Sequence, residues 1–409
     1  MNLSSKKMLR GPAVAFASQG VGLVQVFLLL TQVGANKATD AYFYLLSMSL
    51  LPTLILINAV MYPMLINRQR MSQRGLVRVR WATPVLGIVF VAIGALWLDR
   101  GGRLGPALVP LVFASAANAV AQALVWFKAV SAQAAGDTRW IAGVALPANF
   151  LAMAILVLRW GSAEATVTAM VSALVVGNLA LLFVMTRRDI GNVVYNGAPT
   201  TAEHPRSDPA WFLGRASAGF IGGVLMQSMA VLLPAASLTI LSLAMKVVGS
   251  VSTTFVSAIL PTMVHQETDS PAAARRFLRI LMLVIAAASV VGLIMVFGVR
   301  RDLLLPALAF AAWLLTSSSS AVAQRLSFRF LRPKIASLST GGVGVVVACA
   351  LLSARAPGFD LTVLLSSYAA IDAVSALLLL WLLKDRMMSA LMGVTLAGLM
   401  AIWVSSLLT

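Results

Sequence analysis

The chain has 409 residues, of which 60% are hydrophobic and 11% charged, with a mean hydropathy of +0.92 and a formal net charge of +18. That balance excludes a soluble globular domain and describes an integral membrane protein. A single cysteine, Cys349, excludes an internal disulfide framework and a cysteine-cluster metal site, and the apolar run around it predicts core packing.

The opening MNLSSKKMLRGPAVAF has the basic flank of a signal peptide. The apolar run continues past Ala17 to about Gly34 and many spans follow, so it reads as a retained first helix. Crossing about 30 Å of hydrocarbon takes some 20 apolar residues. By that ruler thirteen segments qualify: 11–33, 41–66, 81–98, 105–127, 140–158, 165–186, 211–233, 238–264, 277–299, 303–326, 336–354, 361–383 and 388–408. They are continuously apolar instead of alternating, which predicts helices and not barrel strands.

In the first span Ser18, Gly22, Gln25 and Gln32 form a polar row with Gln19 beside it. Amides suit sugar hydroxyls, and equally suit hydrogen bonds between helices. Asp40, at the outer edge of the second span, is expected to cap that helix. The second span ends in MYPMLIN, with Pro63, and the fourth carries AVAQALVWF from Ala119. After the sixth span comes the longest polar stretch, RRDIGNVVYNGAPTTAEHPRSDPAW, rich in turn formers. It divides an N-terminal six-helix lobe (1–187) by a linker (188–210) from a C-terminal six-helix lobe (211–386), followed by one additional C-terminal span (387–409).

The second half repeats landmarks of the first. ILPTMVH sets Pro261 opposite Pro63, and AVAQRLSFRF starts at Ala321 opposite Ala119, at offsets of 198 and 202 residues. Each half starts on the same side, so the repeat is parallel, two lobes related by a pseudo-two-fold axis along the membrane normal. In the seventh span Gly219 and Gly223 form GxxxG, a helix-packing signature, with Gln227 one turn on. In the eighth, Thr239, Ser242, Lys246, Ser250, Thr253 and Ser257 recur at intervals of three and four, one helix face, over roughly 27 Å. Such a stripe lines a wet cavity, or else the hydroxyls bond back to the preceding turn and Lys246 pairs with a buried acid. Only one acid lies deep in an apolar run: Asp372, with Tyr368 and Ser375 on its face. It suits a cation or proton site, or a counter-ion for Lys246 or Arg325.

Orientation follows from the loops. With the N-terminus cytoplasmic, 23 of the 31 Lys and Arg fall inside and seven outside, with Lys246 left in the membrane. The same asymmetry accounts for the positive charge by topology and contact with anionic membrane lipids, with no nucleic acid involved.

The stretch GANKATDAYFYLLSMSLLPTLILINAVMYPMLINR resembles the MurJ/MviN family of lipid II flippases, in which a Gly-rich turn and Thr-Asp-Ala-aromatic lead into a Pro-containing helix. That family's eighth span carries a basic residue two positions after an alanine; the matching residues here are Ala244 and Lys246. The layout of helices one to twelve is similar to the wider MOP superfamily, which includes Wzx-like lipid-linked oligosaccharide flippases and MATE-type antiporters. The resemblance implies an all-α fold of two lobes around a cavity. It also implies a secondary transporter of a polyprenyl-diphosphate-linked glycan working by alternating access in the cytoplasmic membrane.

The residues themselves lead toward transport as well. His204 and His265 have no partner cluster, the first outer loop offers only Asp40 as an acid, and no phosphate-cradling Gly-Lys motif occurs. An enzyme and a cofactor are therefore not expected. Expected substrate contacts are Lys246, Ser242, Ser250, Thr253 and Gln25, with Arg10 at the entrance of the first span; expected ion-coupling groups are Asp372, Tyr368 and Ser375. Partners would be the lipid-linked glycan, Na+ or H+ as coupling ion, and enzymes of glycan synthesis. The competing readings are a cation-coupled drug antiporter and a non-transporting scaffold of envelope glycan synthesis.

Overall fold

A computed structural model describes residues 3–66, 73–135, 137, 139–158, 161–191, 220, 222–251, 271–299, 301–330 and 338–408. Among them the regular structure is helical throughout, without a strand. Nine helices are long and apolar enough to cross a membrane, and three shorter apolar helices join them. This is a multi-pass membrane protein. Its exterior agrees, since side chains such as Leu96, Phe113, Leu283 and Val394 are more than two-thirds exposed. In water such a surface would aggregate, whereas against lipid it is the stable arrangement.

The first unit comprises Met1–Val224 with Pro234–Thr239. Helix α1 (Leu3–Gln32) ends at Gly34, whose positive φ (81°) suits a residue without a Cβ. Helix α2 (Lys37–Pro52) runs into nine π-helical residues, Thr53–Met61, and then into the short α3 (Tyr62–Ile66). Pro52 has no N–H to give to the preceding turn, and the register widens after it until the Tyr62 N–H donates to the Ile57 carbonyl. Helices α4 (Gln73–Arg100) and α5 (Val109–Ala134) follow, then α6 (Arg139–Ala142), α7 (Leu146–Val157) and α8 (Ala163–Arg187). The fifth expected span is thus broken at Gly143, with Pro147 starting its second piece. Helix α5 is central here, packed by α2, α4 and α8, while α7 lies on α8.

The second unit comprises Leu225–Leu233 and Ile240–Thr409. It holds most of α9 (Ser237–Val251), together with α10 (Pro271–Val299), α11 (Leu304–Phe330), α12 (Leu338–Ser353), α13 (Leu361–Leu382) and α14 (Arg386–Leu408). Helix α13 is its spine, packing on α11, α12 and α14, and its first turn is capped by Asp360, which accepts from the Val363 N–H. Leu278, Met282, Val322, Leu326, Leu379 and Met392 form the core between these helices.

Two sequence expectations are corrected. The cap of α2 is Asn36 and not Asp40. The Asn36 side chain accepts from the Ala38 and Thr39 N–H groups, while Thr39 Oγ1 accepts from the Asn36 N–H, a reciprocal capping box. Cys349 is exposed. It shares an outward face of α12 with Val345 and Leu352, because in a membrane an apolar run can face lipid as readily as core. Among the described residues Gly223 meets no neighbour that a Cβ would touch, and Gly219 lies outside them. A close approach occurs at Gly177, where a Cβ would come within 2.8 Å of the Ala148 backbone nitrogen.

Candidate functional site

Helix α9 carries the stripe read from the sequence. Its first member, Thr239, is committed elsewhere within the first unit. The Asp40 carboxylate is fully buried and ion-paired with Arg103. It also accepts from the Ala236 N–H (3.0 Å), the Thr239 N–H (2.8 Å) and Thr239 Oγ1 (2.6 Å). Ala236 sits at φ 80°, a strained conformation for a residue with a Cβ, and its bond to Asp40 helps hold it there. Asp40 therefore caps the start of α9 from a distance of almost 200 residues in sequence.

One turn further on the helix, within the second unit, the pattern changes. Ser242 is buried and its hydroxyl has no hydrogen-bond partner among the described residues. Lys246, four residues on and therefore on the same face, is half-buried. No ion pair among the described residues involves it, since the two that occur are Asp40–Arg103 and Asp137–Arg139. The pairing of Lys246 with Asp372 that the sequence left open is not formed. Ser250 continues this face and is buried; Thr253 and Ser257 lie outside the described residues. Nearby on the preceding segment, Gln227 Nε2 donates to Met245 Sδ at 2.9 Å.

A second polar cluster is built by α11 and α13. Trp313 Nε1 donates to Asp372 Oδ2 at 3.0 Å, and Ser317 and Ser320 also bond the same carboxylate. Tyr368 stacks on Trp313 with ring centroids 4.9 Å apart, and Ser375 is buried one turn beyond Asp372. The geometry follows from helical spacing: residues 313, 317 and 320 on one helix meet 368 and 372 on the other. Sequence reasoning found the α13 half and missed the α11 half, although the run Thr316–Ser320 inside an apolar span was a visible signal. The arrangement concentrates a carboxylate and several hydroxyls in oxygen-rich surroundings, which hard cations and protons favour.

The remaining expected site residues, Gln25 and Arg10, belong to the first unit. Gln25 is buried inside the first unit, its amide 3.7 Å from Met170 Sδ and bonded to the Tyr42 hydroxyl, an inter-helix contact. Arg10 lies in α1, its side chain outside the described residues. In the two AVAQ segments each glutamine reaches back one turn: Gln122 accepts from Asn118, which in turn accepts from Asn178, and Gln324 donates to Ser320. No group of three or more potential metal ligands occurs among the described residues.

No protein-family model matches this sequence, and no curated protein matches it. Solved structures do. The chain is similar to the lipid II flippase MurJ in an inward closed conformation, with a TM-score of 0.67, 11% identity and 97% of each chain covered. It is also similar to the MATE multidrug transporter DinF-BH, with a TM-score of 0.50, 13% identity, and 93% of this chain and 95% of that one covered. The fold is therefore the one shared by MurJ and MATE transporters, as the resemblance in the second and eighth spans implied.

Proposed function

We propose that the chain is a secondary transporter that flips a polyprenyl-diphosphate-linked glycan, a precursor of cell wall or surface polysaccharide, across the cytoplasmic membrane by alternating access. The observation that carries this reading is Lys246, a half-buried cation without an ion pair among the described residues, one helical turn from a buried, unsatisfied Ser242 hydroxyl. A charge at the centre of a membrane helix costs about 2.5–3.5 kcal/mol on insertion scales. A diphosphate would offset that cost with charge-assisted hydrogen bonds to the ammonium group. End-to-end likeness in fold to a flippase of lipid II supports the same assignment. The MATE likeness is weaker in TM-score, which disfavours the antiporter.

In this reading Lys246 engages the diphosphate, and Ser242, Ser250 and Thr253 extend the polar face toward the sugar. Asp372, held by Trp313 and flanked by Tyr368 and Ser375, binds the coupling cation, Na+ or H+. The test is reconstitution of the purified protein into vesicles with a fluorescent polyprenyl-diphosphate sugar, scored by protection from a membrane-impermeant quencher. Protein-dependent exchange of the labelled lipid between leaflets is expected. Movement of a lipophilic cationic dye without movement of the lipid would replace the flippase by an antiporter.

A further inference from the structure

The first unit has a basic feature of its own. Helices α4 and α8 flank α5, and at one end of the three helices they enclose a pocket of about 250 Å³ lined by Arg80, Lys128, Leu124, Phe127, Leu182 and Thr186, with Gly191 closing its edge. The pocket is small beside the roughly 300–1,000 Å³ of drug-sized ligand sites, a scale that suits a headgroup phosphate and its glycerol.

Its chemistry is anion-binding. Arg80 is exposed at the N-terminal end of α4, with its guanidinium 5.7 Å from the centroid of the Trp81 ring. Lys128 is set in place by its Nζ donating to the Ile190 carbonyl at 3.3 Å. The turn that supplies this carbonyl packs tightly: Gly191 has φ 73°, and a Cβ there would overlap the Lys128 carbonyl. Arg187 and Arg188 follow Thr186 at the same end of α8, against the single acid Asp189. Among the described residues the balance is positive at this end of each helix of the rim.

Its surroundings are apolar and outward-facing. Val77, Trp81 and Val85 recur at intervals of four on α4, each more than half exposed, and Leu179 and Phe183 do the same on α8 at about half exposure. Arg187 lies over the Phe183 ring at 4.5 Å, so each flanking helix pairs a cation with an interfacial aromatic. A soluble phosphate would use the cations and leave these rows bare. An anionic phospholipid uses both, its phosphate between Arg80 and Lys128 and its acyl chains along the two apolar rows.

We propose that this pocket is a binding site for the phosphate of an anionic phospholipid, in the leaflet at the basic end of α4, α5 and α8. The proposal does not rest on the transported substrate and stands whether or not that assignment holds. The experiment uses the full chain in a neutral detergent, titrated with phosphatidylglycerol, phosphatidylcholine or inorganic phosphate, with lipid adducts counted by native mass spectrometry. Phosphatidylglycerol is expected to bind the wild type at least about tenfold more tightly than phosphatidylcholine. The Arg80→Gln/Lys128→Gln pair is expected to abolish that preference; the amide introduced by Lys128→Gln can still donate to the Ile190 carbonyl, so the turn is kept. Should the pair fold poorly, Arg80→Gln alone changes an exposed side chain and should weaken the preference by several-fold. Arg276→Gln/Arg279→Gln, exposed cations on α10, should leave it intact. Persistence of the preference in the Arg80/Lys128 variant, its equal loss in the α10 control, or binding of inorganic phosphate as tight as that of the lipid would overturn the proposal.

Discussion

Replacing Asp40 by alanine removes the acceptor of four donors at once. Arg103 loses its carboxylate partner, and the Ala236 N–H, the Thr239 N–H and Thr239 Oγ1 lose bonds of 3.0, 2.8 and 2.6 Å. Both charged side chains are buried, 0% exposed for Asp40 and 6% for Arg103, so water does not take the place of the missing group at low cost. Breaking one side of a buried pair costs about 3–5 kcal/mol. The stranded N–H groups act in the same direction but share the same relaxation, so the expected loss is about 4 kcal/mol and not a sum of separate bonds. Arg103→Gln should cost less, about 2 kcal/mol, because Asp40 keeps its bonds to the start of α9. The assay is reversible unfolding of the purified protein by SDS in mixed micelles, with a double-mutant cycle expected to return a coupling above about 1 kcal/mol. Asp137→Ala is the control. Its partner Arg139 is exposed and holds the Asp137 carboxyl below the ordinary range only through solvent-accessible contacts, so the unfolding midpoint should not move. An Asp40→Ala loss below about 1 kcal/mol, or a larger effect for Arg103→Gln than for Asp40→Ala, would refute the reasoning.

Three further outcomes are expected. Gly177→Ala should destabilise by about 1–3 kcal/mol in the same SDS titration, because the added methyl group overlaps the Ala148 backbone, whereas Gly223→Ala should be neutral or stabilising. Asp372→Asn should keep the folded state and substrate binding but make transport insensitive to the gradient of the coupling cation, with Trp313→Phe intermediate because it removes one donor to that carboxylate; unchanged gradient dependence in both variants would make Asp372 structural. A reporter inserted after Ala135 should read cytoplasmic and one after Gly102 external, and the reverse result would invert the topology inferred from Lys and Arg.

Apolar run length made the helices legible, because lipid imposes a minimum length and forbids open backbone. It did not locate the break at Gly143 or the π-helical stretch after Pro52, which depend on local hydrogen-bond register within a run that stays apolar throughout. Half of each polar cluster was legible too. Lys246, Asp372 and Tyr368 stood out as polar groups in apolar segments, while Trp313 did not, since an aromatic residue in a membrane span has no signature until its partner is known. The link between Asp40 and Arg103 spans 63 residues, and that to Thr239 spans 199; helical periodicity carries no information at that range. Asn36 and Asp40 both stand at the start of α2, and composition alone does not tell a capping amide from an acid inside the first turn. The exposed position of Cys349 is not legible in the sequence, because apolarity in a membrane protein marks lipid and core alike.

The central claim is that Lys246 binds the diphosphate of the cargo, and the leaflet-exchange assay on Lys246→Met tests it most directly. Methionine keeps the length of the side chain and removes the charge, so folding should be preserved or improved while exchange of the polyprenyl-diphosphate sugar is lost. Lys246→Arg should retain part of the rate because the charge survives in a different geometry. A Lys246→Met protein that is folded and exchanges the lipid at the wild-type rate would contradict the account.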